Sequence, residues 1–363
     1  MYTKEASMRH GFFRSLLVLF AFTLLLSGCS RSAGKTRIAF VSNNAHGFWT
    51  YAERGCQKAA DEEQVELVFR RPSENTSVAQ QNIINDIMVT GIKGLAISPN
   101  DPTNFQDFLK NKVASKIPLV TQDNDVPDMS IRRCYIGTHN YRAGRAAGAL
   151  VEKAIPDGGK IAIFVGQMDA TNAVERRQGL LDYLAGKHQT EIGDKTPADA
   201  ADLKVGKYLL VGTRTDNGQE NTCQNKAEEI LRLHPDIACL IGLWEYNPPA
   251  LLRAVRGAKS KSTIVAFDEN FQTLEGIQSG EITGTVVQNP YLFGYESIKI
   301  LTALAKGDDN VLKNRKDIDA QNRIYIPHRI IVKNPGNTKI GDSQTIDVEV
   351  FFPEMKKLKG EIK

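Results

Sequence analysis

From Thr36 onward the chain alternates short apolar runs with amphipathic stretches. Ile38 to Val41, Val65 to Phe69, Gly94 to Ile97 and Ile117 to Thr121 have strand length and are rich in branched residues. Between them, Trp49 to Asp61, Val78 to Val89 and Phe105 to Val113 repeat apolar side chains every three or four positions, the period of a half-buried helix. The rhythm returns with predicted strands at Lys160 to Val165, Tyr208 to Val211, Ala238 to Gly242, Ile264 to Phe267 and Thr283 to Val287. Helices are predicted near Ala173 to Tyr183, Asn221 to Leu233, Pro249 to Arg256 and Leu274 to Gln278. Strands apolar on both sides and separated by helices imply parallel sheets covered on both faces. The expected fold is α/β, with two similar lobes of roughly 120 to 150 residues, each a doubly wound parallel sheet with helices on both faces.

In such sheets ligands bind beyond the carboxyl ends of the strands, so the loops there are the place to look for chemistry. The first is Ser42-Asn43-Asn44-Ala45-His46-Gly47, running into Phe48 and Trp49. Later ones carry Ser98 to Asp101, Thr121 to Asp125, Gly166 to Asn172 followed by Arg176, Gly242 to Asn247, Phe267 to Asn270, and Gln288 to Pro290. Carboxylates such as Asp123 and Asp268 accept from hydroxyls, and amides such as Asn172, Asn247 and Gln288 donate and accept at once. Arg176 adds a rigid donor fork whose charge-assisted bonds are about twice as strong as neutral ones, and Phe48, Trp49, Trp244 and Phe267 add flat apolar faces. Planar polar groups around a rim with aromatics above and below complement a sugar or cyclitol ring. Taken singly, Asp268 could instead cap a helix, Asp123 could close an Asx-turn, Arg176 could lie on a solvated face and Trp49 could be core.

Composition narrows the class. The 363 residues are 41% hydrophobic and 24% charged, with a net charge of +4, which describes an ordinary globular chain with no nucleic-acid footprint. Lys4, Arg9 and Arg14 precede an apolar run from Leu16 to Leu26, which is shorter than a membrane span and has the form of an export signal. Leu26-Ser27-Gly28-Cys29 resembles the bacterial lipobox, which implies lipidation of Cys29 and a membrane tether. Cys56, Cys134, Cys223 and Cys239 have no CxxC spacing and no histidines at metal-ligand intervals, so no metal site is expected. Export permits disulfides, and their pairing is left open.

A set of motifs occurs in order along the chain: Ile38 to Val41 then SNNAHGFW; Ile117 to Asp123; Tyr135 to Thr138 leading to Ala143-Gly144; Glu175-Arg176 with Gly179; His234 to Ile237; Ile264 to Asp268; and Val286 to Pro290. The set resembles the ribose/galactose-type periplasmic binding proteins, type 1 solute-binding proteins of ABC transporters that share their fold with the LacI-type repressor core. The resemblance spans about Thr36 to Lys333. It implies a non-enzymatic binding lipoprotein without cofactor, held at a bacterial membrane on the periplasmic or cell-surface side. Such a protein captures a sugar or polyol between its lobes and hands it to a membrane permease, acting as a monomer. It further implies that Ser42, the loop through His46, Phe48, Trp49, Ser98 and Asp123, with neighbouring Asn124, come from one lobe. Asn172, Arg176, Trp244, Asp268 and Gln288, with Asn247 nearby, come from the other. The chain departs from the family at His46, where relatives often have Asn, at Asn124, where they have Arg, and at Trp244, where they have Asn or Asp. These departures bear on which solute is bound.

The implied organisation is a signal at 1–28, a tether at 29–35, a first lobe from 36–138 plus 289–322, a second from 139–288 plus 323–340, and a tail at 341–363. Three hinge crossings fall near Thr138, Asn289 and Arg323. In the tail, Ile346 to Phe352 alternates like a strand. A repressor would need a helix-turn-helix where the signal stands. A serine hydrolase would need a GxSxG elbow, and a Rossmann enzyme GxGxxG after the first strand; neither occurs. A sensor lipoprotein presenting its ligand to a membrane receptor remains an alternative to transport.

Overall fold

In the computed structural model, which describes residues 34–336, 339–340 and 343–360, the apolar runs from Arg37 onward form two sheets. The first is built from β1 (Arg37–Val41), β2 (Glu66–Arg70), β3 (Gly94–Ile97), β4 (Leu119–Gln122), β5 (Cys134–Gly137) and β12 (Arg323–Tyr325), in the order β12-β5-β4-β3-β1-β2. All five of its pairings are parallel. Strand β1 shows why these runs are continuously apolar: Ile38 and Phe40 pack under α1 (Phe48–Glu63) and α9 (Pro290–Ala305), while Ala39 and Val41 face α2 (Ser77–Met88) and α3 (Pro102–Leu109). Successive side chains point to opposite faces, and both faces are covered.

The second sheet has a parallel centre of β11 (Gly284–Val287), β10 (Thr263–Phe267), β9 (Ile237–Gly242), β6 (Gly159–Val165) and β8 (Tyr208–Thr215). Helices α4 (Asn140–Ala154) and α5 (Thr171–Leu184) cover one face, and α6 (Glu220–Leu233), α7 (Asn247–Ala258) and α8 (Phe271–Ser279) the other. The sheet is not purely parallel. β7 (Leu203–Val205) joins β8 antiparallel and β13 (Arg329–Val332) joins β11 antiparallel, a common addition at the sides of an otherwise parallel sheet. With β14 (Thr345–Asp347) the full order is β14-β13-β11-β10-β9-β6-β8-β7. Helices α4 and α5 approach closely because each has a glycine where it meets the other's backbone. A Cβ on Gly144 would lie 2.1 Å from the carbonyl oxygen of Arg176, and one on Gly179 would lie 2.0 Å from that of Tyr141.

The chain passes between sheets after β5, after β11, and between β12 and β13. The third passage corrects the expected boundary at Arg323. Arg323 to Tyr325 pair with Tyr135 to Gly137 in the first sheet, so the second lobe resumes only at β13. The tail is corrected as well. After the short α10 (Asn310–Lys313) of the first lobe, the last helix is α11 (Val348–Lys359), which follows β14 directly. The Asp347 carboxylate caps it by accepting from the Glu349 N–H at 3.0 Å. Val348, Phe351, Phe352 and Met355 share one helix face and are buried in the second core, whereas Val350, inward in a strand reading, is 59% exposed. The run satisfies both periods, and the Asp347 cap decides between them. The four cysteines from Cys56 onward are buried free thiols. Residues 1–33, with the expected signal and Cys29, lie outside the described residues.

Candidate functional site

Asp123 and Asp268 occupy matching places, one after β4 and one after β10. Both are in the left-handed backbone region, at φ 60° and 65°, a conformation that Asp tolerates better than most residues. The Asp123 N–H donates to Ile136 O at 3.1 Å, and its carbonyl accepts from the Tyr135 hydroxyl at 2.9 Å. The Asp268 N–H donates to Val286 O at 2.9 Å, and its carbonyl accepts from the Thr285 hydroxyl at 2.8 Å. In each lobe the neighbouring strand therefore grips the turn and presents one carboxylate. Neither acid is a helix cap: Asn270 caps α8 through its side chain.

Arg176, on α5, stands beside Asp268 and its charge acts on both acids. Its Nε donates to Asn140 Oδ1 at 3.0 Å and its Nη1 to Leu243 O at 2.9 Å, its guanidinium stands 4.7 Å over the Phe267 ring, and Nη1 is 3.9 Å from Asp268 Oδ2. Asp268 also accepts from Gln288 Nε2 at 2.9 Å, and Asp123 accepts from the Ser98 hydroxyl at 3.1 Å. Burial raises the Asp123 pKa to about 6, with Arg176 opposing the rise and Asp268 adding to it. Burial also raises that of Asp268, against Arg176 and the Gln288 amide.

Asp123, Arg176, Asp268 and Gln288 line a cleft between the lobes. One wall holds His46, Phe48, Trp49, Asp123 and Asn124, and the other holds Asn172, Arg176, Trp244, Asp268 and Gln288. Ten of the thirteen expected side chains thus meet there. The other three sit behind the wall. Ser42 donates to Asn44 O at 2.7 Å, Ser98 supports Asp123, and Asn247 binds Asp216 and accepts from the Trp244 N–H, holding the Trp244 loop. Trp49 has both characters, since it lines the cleft yet is 1% exposed, packs on Phe40 and donates from Nε1 to Asn43 at 3.0 Å. The structure adds Asn43, Asn44, Asn100, Gln167, Glu245 and Tyr246, all on strand-end loops, together with Ala170 and Asn75. Asn75 follows β2, whose loop carries the same kind of small polar residues. Across the cleft the His46 and Tyr246 rings stack at 5.3 Å and 21°. Burial lowers the His46 pKa, against a raising field from Glu220, so the ring is neutral at pH 7.

Six lining side chains each bury a polar atom with no hydrogen-bond partner in the protein: Asn100 Nδ2, Asn124 Oδ1, Asn172 Oδ1, Arg176 Nη2, Trp244 Nε1 and Gln288 Oε1. Buried polar groups are ordinarily bonded, so donors and acceptors concentrated in one cleft are suited to a small ligand rich in hydroxyls. No three metal-ligating side chains come together among the described residues.

Comparison with known proteins agrees with this geometry. The chain is 26% identical over 287 residues to the ribose import binding protein RbsB of Haemophilus influenzae, covering 79% of this chain and 89% of that one. It is 22% identical over 293 residues to the D-allose-binding periplasmic protein of Escherichia coli, covering 78% and 88%. An ABC transporter solute-binding protein from Burkholderia graminis, solved in complex with D-arabinose, superposes with a TM-score of 0.71 at 26% identity, covering 84% of this chain and 97% of that one. Residues 38–309 match the family described as the periplasmic binding protein domain, and the chain belongs to that family.

Proposed function

We propose that this protein is an extracytoplasmic substrate-binding lipoprotein that captures a sugar or sugar-like polyol between its lobes and delivers it to an ABC importer. The observation that carries the reading is the set of six unpartnered buried polar atoms, disposed between two buried carboxylates and one guanidinium in a cleft with aromatic walls. Ring hydroxyls donate to Asp123, Asp268, Asn124, Asn172 and Gln288 and accept from Arg176 Nη2 and Trp244 Nε1. Relatives that import ribose or bind allose support the ligand class. With no activated nucleophile in this reading, the ligand leaves chemically unchanged, and the protein acts as a monomer without nucleic acid. The lipobox at Leu26 to Cys29 supports lipid anchoring; Cys29→Ser then releases the protein from the membrane fraction, and continued retention speaks against the anchor.

The test is a thermal-shift screen of pentoses, hexoses and cyclitols. A ligand at about 100 times its Kd that binds only the folded chain adds roughly 2.7 kcal/mol, which raises the midpoint by several degrees. Arg176→Ala loses charge-assisted bonds worth about 1.5–3 kcal/mol, so the same ligand must be supplied at roughly ten- to hundredfold higher concentration. Stabilisation by no ring compound, or undiminished stabilisation of the variant, would remove the reading.

A further inference from the structure

The charges of the cleft do not balance. Its lining holds three carboxylates, Asp123, Glu245 and Asp268, against one guanidinium, Arg176, and the remaining basic ring, His46, is neutral. Glu245 accepts from Asn270 Nδ2 at 2.8 Å. Asp268 has the 3.9 Å contact with Arg176 and the Gln288 amide. Asp123 is 6% exposed and pairs with no lysine or arginine among the described residues. Its support is the field of Arg176, which is already engaged with Asp268, together with the Ser98 hydroxyl and the Asn172 amide, and its chain neighbour is the neutral Asn124. Buried charges are ordinarily paired, because an isolated one forfeits its hydration.

Acceptors also cluster at this point. Asn124 Oδ1 and Asn172 Oδ1, on the residue after Asp123 and on the residue bonded to it, are both buried without a donor. Two amide oxygens and a carboxylate make three acceptor groups, and a primary ammonium carries three donors and no acceptor. A hydroxyl offers one donor and leaves the carboxylate uncompensated. The Arg176 side of the cleft, with Nη2 free, is suited to the ring's hydroxyl oxygens.

We infer that the preferred ligand is an amino-substituted sugar or cyclitol whose protonated amine lies against Asp123, Asn124 and Asn172. This rests on the sugar-binding reading above and specifies the ring's substituent. The ammonium supplies the cation that the first lobe lacks, so its pairing with Asp123 draws the two lobes' polar groups onto one ligand, and the neutral ring edge faces Arg176.

The experiment is isothermal titration of the intact chain at pH 7 with matched pairs: D-glucosamine and D-glucose, D-galactosamine and D-galactose, and an aminodeoxyinositol and its parent inositol, with N-acetyl-D-glucosamine as the neutral amide. The expected result is that in at least one pair the amine binds tenfold or more tightly than the hydroxyl compound, and that acetylation removes the gain. In Asp123→Asn the ratio within that pair falls at least tenfold. Should that variant fail to fold, the wild-type amine, hydroxyl and acetamide comparison decides alone. If each parent ring that binds does so as tightly as its amine, the inference is overturned while the sugar reading stands. If neither series binds, the inference is overturned, and the thermal-shift screen with pentoses included decides the sugar reading separately.

Discussion

Asp123 is a carboxylate kept out of water with little to compensate it, and its effect is measurable in the unliganded protein. Its folded pKa of about 6 lies above the usual carboxylate value because burial, with the Asp268 field added, outweighs Arg176, Ser98 and Asn172. A group whose pKa is raised on folding binds more protons folded than unfolded between the two values, so stability falls as pH rises through that window and is level above it. Asp123→Asn removes the titrating group. The variant's stability relative to wild type should therefore improve between about pH 4 and 6 by on the order of 2–3 kcal/mol, since each tenfold difference in proton affinity between the folded and unfolded chain is worth about 1.4 kcal/mol. Urea midpoints measured at both ends of the window check this, and a pH-independent difference would show that Asp123 is compensated in the folded state. That Asp123 and Asp268 lie in the cleft could be expected from their strand-end positions. Their left-handed turns, and the Tyr135 and Thr285 hydroxyls that hold them, depend on strands adjacent in the sheet and distant in sequence.

At the scale of elements, the uniformly apolar strands of the two sheets were legible because burial on both faces leaves no polar positions. The central helices were legible from their three- and four-residue spacing. Two edge strands were not: β7 and β12 span three residues each, too few for a period to register. The run from Ile346 to Phe352 was misleading because Ile346, Val348, Val350 and Phe352 alternate while Val348, Phe351, Phe352 and Met355 fit a helix. The helical assignment has a direct check. Phe351, 1% exposed and packed in the second core, should cost about 3–5 kcal/mol on replacement by Ala. Val350, which is 59% exposed, should stay within about 0.5 kcal/mol. Chemical denaturation of the two variants measures both, and a reversed order would restore the strand.

Across the whole molecule, three passages join the lobes, one ring pair, His46 with Tyr246, meets across the cleft, and Tyr51 of α1 packs into the second core that also buries α11. Hinge closure about such connections is a standard response to a ligand held by both sides. Tyr246 is fixed from behind, since its hydroxyl donates to Asp216, which also accepts from Asn247 at 2.9 Å. The His46 ring therefore rests on a partner held from behind. Saturation with ligand should shrink the radius of gyration in small-angle scattering, and an unchanged value would mean that the lobes do not close on it.

The residues by themselves determined the α/β class, the two-lobed division and the edge of the sheets at which polar chemistry collects, because periodicity and burial are local demands that each segment must meet. Tertiary structure decided which polar side chains reach the cleft. Ser98 and Asn247 carry the same kinds of polar group as residues on the wall, yet from behind it they bond to Asp123 and Asp216 respectively. It also decided the charge imbalance around Asp123, since whether a carboxylate finds a cation depends on residues from other strands and helices, and no local pattern records that distance.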